Sequence, residues 1–341
     1  MQEWIFFVSL FGFLLSSAVL WRVPRYTSDD FEVLFTLFVF LSLIKSLEKS
    51  GFLSFIASFF EKGKYPALKL VFLTAFLSMF ITNDVSLMVV LPLTLAMKLP
   101  DVEKVVILEA IASNGGSSLS PFGNPQNIFI YFHYDVHFLD FIKEIFPLFA
   151  VSMFLLLVFT PKYPAVKPSL GKSSFDKKGY IYAFLFIVFV IAVLGFLPLW
   201  IGFLLLVFLF FSNKEFLKID YFLIGTFFFF FGFTDNIDYA FSIHFHNPFE
   251  VFIYSAFLSQ IISNVPATLF LADFTNHWKD LLWGVSVGGF GNIIGSLANL
   301  IAFRMYARRY RQTGKFLLKF HIFGYIFFLA GIGVYILYRS F

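Results

Sequence analysis

The chain has no cysteine, and only 13% of its 341 residues are charged. The first absence excludes disulfides, thiolate nucleophiles and cysteine metal ligands, and it leaves the redox compartment unread. The second departs from a soluble domain, in which about a quarter of residues carry charge. The chain is read as lacking HExxH, GxSxG and paired Asp-rich motifs, the constellations an intramembrane enzyme needs. The chain is read as a non-enzyme without a cofactor. Its net charge of +4 is small, and the basic residues sit in loops, where orientation in a bilayer explains them better than nucleic acid does.

What is abundant is apolar: 59% of residues are hydrophobic, with 56 Phe, and mean hydropathy is +0.84. Several apolar segments are read as reaching the roughly 20 residues a spanning helix needs, and they are spread from end to end. This predicts an all-α polytopic membrane protein with no separate soluble domain. The excess of Phe marks lipid-facing helices and is given no function. Trp4–Leu20 lacks a basic leader and is followed by Trp21 and Arg22, not by a small-residue cleavage site, so it is read as a retained helix.

Spanning segments are read at 3–21, 31–47, 143–160, 180–197, 198–212, 219–233 and 316–338. Between Glu48 and Lys64 the apolar piece 52–60 is too short to cross and is flanked by charge, which predicts a helix lying in the interface. The run 66–98 is bounded by Lys62, Lys64 and Lys69 and by Lys98, Asp101, Glu103 and Lys104, and Thr82, Asn83 and Asp84 interrupt its middle. Too long for one span and too short for two, it predicts a re-entrant hairpin with a polar tip at mid-membrane. A second such run, 248–275, has Ser263 and Asn264 at its middle. Asp235 and Asp238 are read as the start of an outer arm.

The stretch Ser113–Asn127 reads SNGGSSLSPFGNPQN, and Gly115, Gly116, Pro121, Gly123 and Pro125 crowd within it. An unbroken helix carries that density only at a cost of several kcal/mol. The span 104–134 is therefore predicted to be a broken helix, and opened backbone in hydrocarbon implies a protein-lined cavity. Gly288, Gly289, Gly291 and Gly295 interrupt 281–303 in the same way.

Two blocks recur. Thr82-Asn83 matches Ser263-Asn264, and Gly123-Asn124-Pro125-Gln126-Asn127 matches Gly295-Ser296-Leu297-Ala298-Asn299. Each half contributes two spans, a hairpin and two more spans, and the extra segment 180–197 makes the second half inverted. The chain divides into a first repeat (1–160), a cytoplasmic loop with linker helix (161–197) and a second repeat (198–341). Lys162, Lys167, Lys172, Lys177 and Lys178 place the 161–179 loop in the cytoplasm. Arg304, Arg308, Arg309, Arg311 and Lys315, with Lys214 and Lys218, agree with that side. The N-terminus is then cytoplasmic, the first hairpin opens inward and the second outward. Arg22 and Arg25 are left outside, beside Asp29 and Asp30.

Asp84 near the bilayer centre costs roughly 2.5–3.5 kcal/mol on insertion scales, so it needs a partner, a cation or a proton. A sodium ion would suit the oxygens of Thr82, Asn83, Asp84 and Asn127. The plainer role for Asp84 is to cap the second hairpin helix. Asn83, Asn127, Asn264 and Asn299 recur in pairs at the breaks. Ser113, Asn114, Gly123, Asn124, Ser263, Thr268, Gly295 and Ser296 complete the predicted solute- or ion-binding set. Ser117, Ser118, Ser120 and Ser286 either add hydroxyls or pack helices together. Gly115, Gly116, Gly288 and Gly289 permit close backbone approach. No Arg or Lys is expected near this centre, so an anion would be held by half-helix N-termini and by Asn and Ser donors. Glu109 is read as forming an interfacial pair. His133 and His137 have the i, i+4 spacing of a metal-binding helix face, but they lie at an outer helix end without the HExxH glutamate, and no metal is assigned to them.

FITNDVSLMVVLPLTL, SNGGSSLSPFGNPQNIFI, ISNVPATLFLADF and the Gly-rich segment 281–303 follow one another across nearly the whole chain. Together they resemble the ion transporter superfamily, which holds divalent anion:sodium symporters, citrate carriers, arsenite/antimonite permeases and NhaD-type sodium/proton antiporters. The Asn-Asp pair and GNPQN are most similar to the arsenite permease and YbiR-like branch. The resemblance implies an elevator transporter, a homodimer in an inner or plasma membrane, whose hairpin tips and broken helices form the site while interfacial arm helices flank a moving transport domain. Dicarboxylate carriers have Ser-Asn-Thr at both tips, where this chain has Thr82-Asn83-Asp84 and Ser263-Asn264-Val265, so a dicarboxylate is not carried over. The reading is a secondary active transporter of a small anionic solute, an oxyanion or carboxylate, coupled to sodium or protons. Its rival is a sodium/proton antiporter exchanging at Asp84; a channel and an intramembrane enzyme are remoter alternatives.

Overall fold

The computed structural model describes residues 3–60, 63–97, 99–164, 176–212, 214–241, 244–311 and 313–340. Lys62, Lys98, Lys167 and Lys172, used above to place loops and flanks, lie outside the described residues. Among the described residues all regular structure is helical.

Helix α1 (Glu3–Leu20) leads to α2 (Ser28–Lys49), which begins at a capping box. The Thr27 hydroxyl accepts from the Asp30 amide, and the Asp30 carboxylate accepts from the Thr27 amide at 2.7 Å. A cap of this kind contributes about 1 kcal/mol and starts the helix at Ser28 instead of at 31. The short α3 (Phe52–Ser58), entered through Gly51 at φ 75°, fills the expected interfacial segment. α4 (Pro66–Ser78) and α5 (Asn83–Ala96) form a hairpin, α6 (Val102–Ser117) and α7 (Pro125–His133) are two pieces of a broken helix, and α8 (Phe138–Phe159) follows. Next come α9 (Lys178–Val193), α10 (Ile201–Ser212), a 3-10 turn at Lys214–Leu217 and α11 (Tyr221–Phe241). The hairpin and broken helix then recur as α12 (Pro248–Ile262) with α13 (Asn264–Ala272) and α14 (Trp278–Gly288) with α15 (Leu297–Ala307), before α16 (Thr313–Ser340).

Two segments differ from the sequence reading. Asp235 and Asp238 belong to α11 and not to a separate arm. Asp235 holds Arg22 at 2.6 Å and Asn236 donates to Ser16 and Ser17 of α1, which keeps α11 helical beyond its apolar part. α10 is about 18 Å long, short of the roughly 30 Å of a hydrocarbon core.

Contacts sort the helices into two bodies. In one, α4 packs on α6 and α12 on α14, α5 meets α15, α13 meets α7, and α8 and α16 pack on each other and on α6 and α14. In the other, α1 lies along α11, and α2 touches α9, α10 and α11. The bodies meet mainly where α2 passes α7 and α5, α11 passes α13, and α3 rests on α5.

Glycine lets the hairpins seat closely. A Cβ on Gly116 would collide with the Ala75 carbonyl of α4, and one on Gly288 would lie 2.8 Å from the Ala256 carbonyl of α12. Gly115 and Gly289 first meet side chains, at 3.2 Å, so the backbone contact belongs to the other pair. Outside, Phe11, Val19, Phe154, Phe184 and Leu329 are each more than 60% exposed, a surface suited to lipid and poorly suited to water. α8 and α16 are each long and apolar enough to cross a bilayer alone. Polar clamps close the ends of the first body. Arg339 reaches Glu144 at 2.9 Å and Asp280 at 3.0 Å, and Lys319 reaches Glu103 at 3.3 Å and Asp101 at 3.5 Å.

Candidate functional site

The two hairpin tips make the same bonds. The Asn83 amide donates to the Gly123 carbonyl and the Asn264 amide to the Gly295 carbonyl, both at 3.0 Å. Each Asn side chain then accepts the next amide, Asp84 or Val265, again at 3.0 Å. The breaks are braced in parallel ways. Asn127 Nδ2 donates to the carbonyls of Ser117, Ser118 and Ser120 at 3.1, 3.4 and 2.9 Å, and Asn299 Nδ2 to those of Gly289 and Asn292 at 3.0 and 3.1 Å. These carbonyls sit at or just beyond helix ends, where no intrahelical partner is available, and in hydrocarbon each costs free energy if left bare. Asn124 caps α7 by accepting from the Asn127 amide at 2.9 Å, and it donates to the Ser117 hydroxyl at 3.2 Å.

Asn114 joins the halves. Its Oδ1 accepts from Asn83 Nδ2 at 3.2 Å, and its Nδ2 donates to Asn299 Oδ1 at 2.8 Å and to the Gly289 carbonyl at 3.1 Å. Asn83 Nδ2 also reaches the Ser296 hydroxyl at 3.4 Å. On the far side Asn264 lies against Gly289, and the Ser263 hydroxyl is 3.5 Å from the Gly295 carbonyl. All these side chains are buried. Ser263 holds φ 75° and ψ 158°, a region visited almost only by Gly, which stores about 1–3 kcal/mol of strain at the tip.

The N-termini of α5, α7, α13 and α15 and the C-termini of α4, α6, α12 and α14 all end at these tips and breaks. Amide ends favour an anion and carbonyl ends a cation. Three buried oxygens here have no partner: Asp84 Oδ1, Asn127 Oδ1 and Ser286 Oγ. The Thr82 side chain makes no capping bond, so Asp84 and Thr82 both remain available to a ligand.

Some predicted residues stand apart. Ser113 donates to the Ala110 carbonyl and Thr268 to the Asn264 carbonyl, at 2.8 and 2.7 Å, each bonding back into its own helix. Glu109 does not form an interfacial pair; it is fully buried and accepts from the Thr94 hydroxyl. His133 ends α7 while His137 precedes α8, so the two share no helix face.

A cavity of about 210 Å³ opens beside the first tip, lined by Thr82, Asp84 and Pro125 on one side and by Lys45, Glu48, Lys218 and Asp220 on the other. The expectation that no Lys lies near the centre is thereby corrected, because α2 and the start of α11 pack across the tip. Both lysines are paired, Lys45 with Glu48 at 2.9 Å and Lys218 with Glu215 at 2.7 Å. The Lys218 hydrogen bond holds the Glu215 carboxyl below its usual range. The second tip differs: Ser263, Val265 and Pro266 face Trp4 and Ile5 across an apolar cavity of about 50 Å³.

Sequence reasoning missed two residues that brace the second break. Gln260 donates to the Gly288 carbonyl and accepts from the Asn292 amide at 2.7 Å, and Asn292 Nδ2 returns a bond to the Gln260 carbonyl at 2.8 Å. A lone Gln in an apolar hairpin arm was the available signal. Gly284–Gly288 reads GVSVG, the spacing of a nucleophile elbow, which corrects the sequence reading that no GxSxG is present. It lies inside α14 with no strand before it, and Ser286 Oγ touches no base, so no triad geometry exists there.

A family profile described as citrate transporter matches residues 5–288. The chain is 35% identical over 329 residues to the uncharacterized transporter MJ0456 of Methanocaldococcus jannaschii, with 92% of each chain covered. It is 33% identical over 317 residues to the inner membrane protein YbiR of Escherichia coli, covering 81% of this chain and 80% of that one. The profile takes in both hairpins and the first broken helix and stops at the end of α14, the first piece of the second. With paired hairpins and broken helices in an apolar, all-helical chain, and with relatives matched along most of its length, this is a multi-pass membrane protein that belongs to the citrate transporter family.

Proposed function

We propose that the chain is a secondary active transporter of a small anionic solute, an oxyanion or a carboxylate, coupled to sodium or protons. The observation that carries this reading is the bonding of the first hairpin tip to both breaks, Asn83 to Asn114 to Asn299, where four helix N-termini end in an apolar body. Such a centre can hold an anion on amide ends and a cation on Asp84 and carbonyl oxygens together, which is what coupling requires. A coupling sodium would sit with Thr82, Asn83, Asp84 and Asn127; the unpartnered Asp84 Oδ1 and Asn127 Oδ1 fit that role.

The matched bonds at the two tips support treating 1–160 and 198–341 as inverted repeats joined by 161–197. The restricted contact between the two bodies supports an elevator, with the hairpin body moving past α1, α2, α9, α10 and α11, in a homodimer with a cytoplasmic N-terminus in a plasma or inner membrane. A second reading, sodium/proton antiport at Asp84, is favoured by one feature: Asp84, Asp220 and Glu48 outnumber the two lysines around the cavity.

The test is a thermal-shift screen of the purified protein with citrate, phosphate, arsenate and arsenite, each with and without sodium. A ligand at about 100 times its Kd adds about 2.7 kcal/mol of apparent stability. Stabilisation by an anion supports the first reading, and its dependence on sodium names the coupling ion. Stabilisation by sodium alone, with no anion effective, selects the antiporter.

A further inference from the structure

Glu109 lies on α6 about 12 Å along the helix from the break, and nothing in the centre uses it. It is 0% exposed. Its Oε1 accepts from the Thr94 hydroxyl of α5 at 2.5 Å, and its Oε2 is buried with no partner. Among the described residues no Lys, Arg or His forms an ion pair with it.

The charged groups on the helices packed around α6 are engaged elsewhere or turned outward. Lys319 of α16 holds Asp101 and Glu103, and Tyr306 of α15 donates to Glu103. Arg339 of α16 and Lys279 both approach Glu144 of α8. Lys104 of α6 lies over the Phe323 ring, and His321 of α16 bonds the Leu317 carbonyl. Asp140 and Lys143 of α8, Arg304 of α15 and Lys315 of α16 are exposed, and Lys69 of α4 is partly so. Asp84, on the same helix as Thr94, is about 15 Å along it.

An ionised carboxylate in this setting would have one donor and no counter-ion, which costs several kcal/mol of desolvation. The neutral acid avoids that cost. A hard cation is a poor substitute, since such ions take about six or more oxygens and Thr94 supplies the one side-chain oxygen bonded here. We infer that Glu109 is a proton-binding site, carried as the neutral acid in this conformation, and that its loading makes transport proton-dependent. The second clause rests on the transporter reading above. The step is a proton transfer alone: H⁺ from water bonds Oε2, the charge goes from −1 to 0, and Thr94 keeps donating to Oε1. Because Thr94 belongs to the second hairpin arm, displacement of that arm from α6 is the movement that admits water and releases the proton.

Infrared spectroscopy of the purified full-length protein tests the site directly. The carbonyl stretch of a protonated carboxyl should be present at neutral pH, vanish in Glu109→Gln, move to higher frequency in Thr94→Val and persist in Asp84→Asn. Absence of the band from wild type, or its survival in Glu109→Gln, overturns the assignment. Glu109→Gln has the shape of the neutral acid and should unfold at the wild-type temperature, whereas a large destabilisation means that the native group is ionised and paired, which also overturns it. Proteoliposomes with labelled citrate and an imposed pH gradient test the second clause. Wild type should respond to the gradient, and Glu109→Gln should keep citrate counterflow while losing at least tenfold of that response. An unchanged response in Glu109→Gln overturns the coupling role. If wild type moves no citrate, the transporter reading fails for this solute while the infrared result still decides the proton site.

Discussion

Replacing Asn127 by Ala removes the side chain that braces the carbonyls of the first break. Its amide has two hydrogens to share among the carbonyls of Ser117 at 3.1 Å, Ser120 at 2.9 Å and, less closely, Ser118 at 3.4 Å. Two good bonds are lost, at a position that is 0% exposed. At about 1–3 kcal/mol for each buried group left bare, the loss is about 2–6 kcal/mol. A water entering the vacated space can bond two of the carbonyls, which brings the expected cost to about 2–3 kcal/mol. For a chain of 341 residues that is a fall of roughly 3–4 °C in Tm. Asn127→Asp fills the same space but turns a charge toward those carbonyls and donates nothing, so it should be the more damaging change despite its smaller change in shape. The assay is thermal unfolding of detergent-purified protein at one fixed scan rate. A Tm for Asn127→Ala within about 1 °C of wild type, or Asn127→Asp milder than Asn127→Ala, would refute the bracing role.

Other consequences can be checked in the same preparation. Gly116→Ala should lose about 1–3 kcal/mol by forcing α6 off α4, while Gly115→Ala, which meets the Ser152 and Met153 side chains, should lose less; equal losses would contradict the direct backbone seat. Ser263→Gly should raise Tm by relieving about 1 kcal/mol of strain net of the entropy of Gly, and a lowered Tm would mean that the Ser263 hydroxyl matters more than its backbone. Arg339→Met should cost roughly 2–3 kcal/mol, below the value for a fully buried pair because Arg339 keeps 31% of its side chain exposed; no change in Tm would deny that clamp. Asp84→Asn should leave the unfolding temperature nearly unchanged yet remove any sodium-dependent stabilisation by an anion, and persistence of that dependence would move the cation elsewhere.

The interruptions were legible in the sequence because polar residues and helix breakers stand out against an apolar run. Thr82-Asn83-Asp84, Ser263-Asn264 and the GNPQN block fall where the helices open. Their partners were not legible. Asn114 meets Asn299 across 185 positions of chain, and no local pattern records such a contact. Helix faces were equally hidden: where nearly every residue is apolar, there is no contrast from which to read the side that packs. That is why the lysines beside the first tip, Lys45 and Lys218, were not foreseen, why Glu109 was read as an interfacial pair and why Gln260 was overlooked. The ends of α2 and α11 extend past their apolar cores because a capping box and the Arg22–Asp235 pair continue the helices in polar surroundings, and hydropathy alone does not report that.

Because the chain contains no cysteine, one introduced thiol reports without background. Thr82→Cys places it at the first tip, on the wall of the cavity beside Asp84. With a membrane-impermeant maleimide applied to right-side-out and to inside-out vesicles, a carrier that exposes one site to each side in turn predicts labelling from both faces, slowed by the transported solute. Reaction from a single face under every condition would contradict that account.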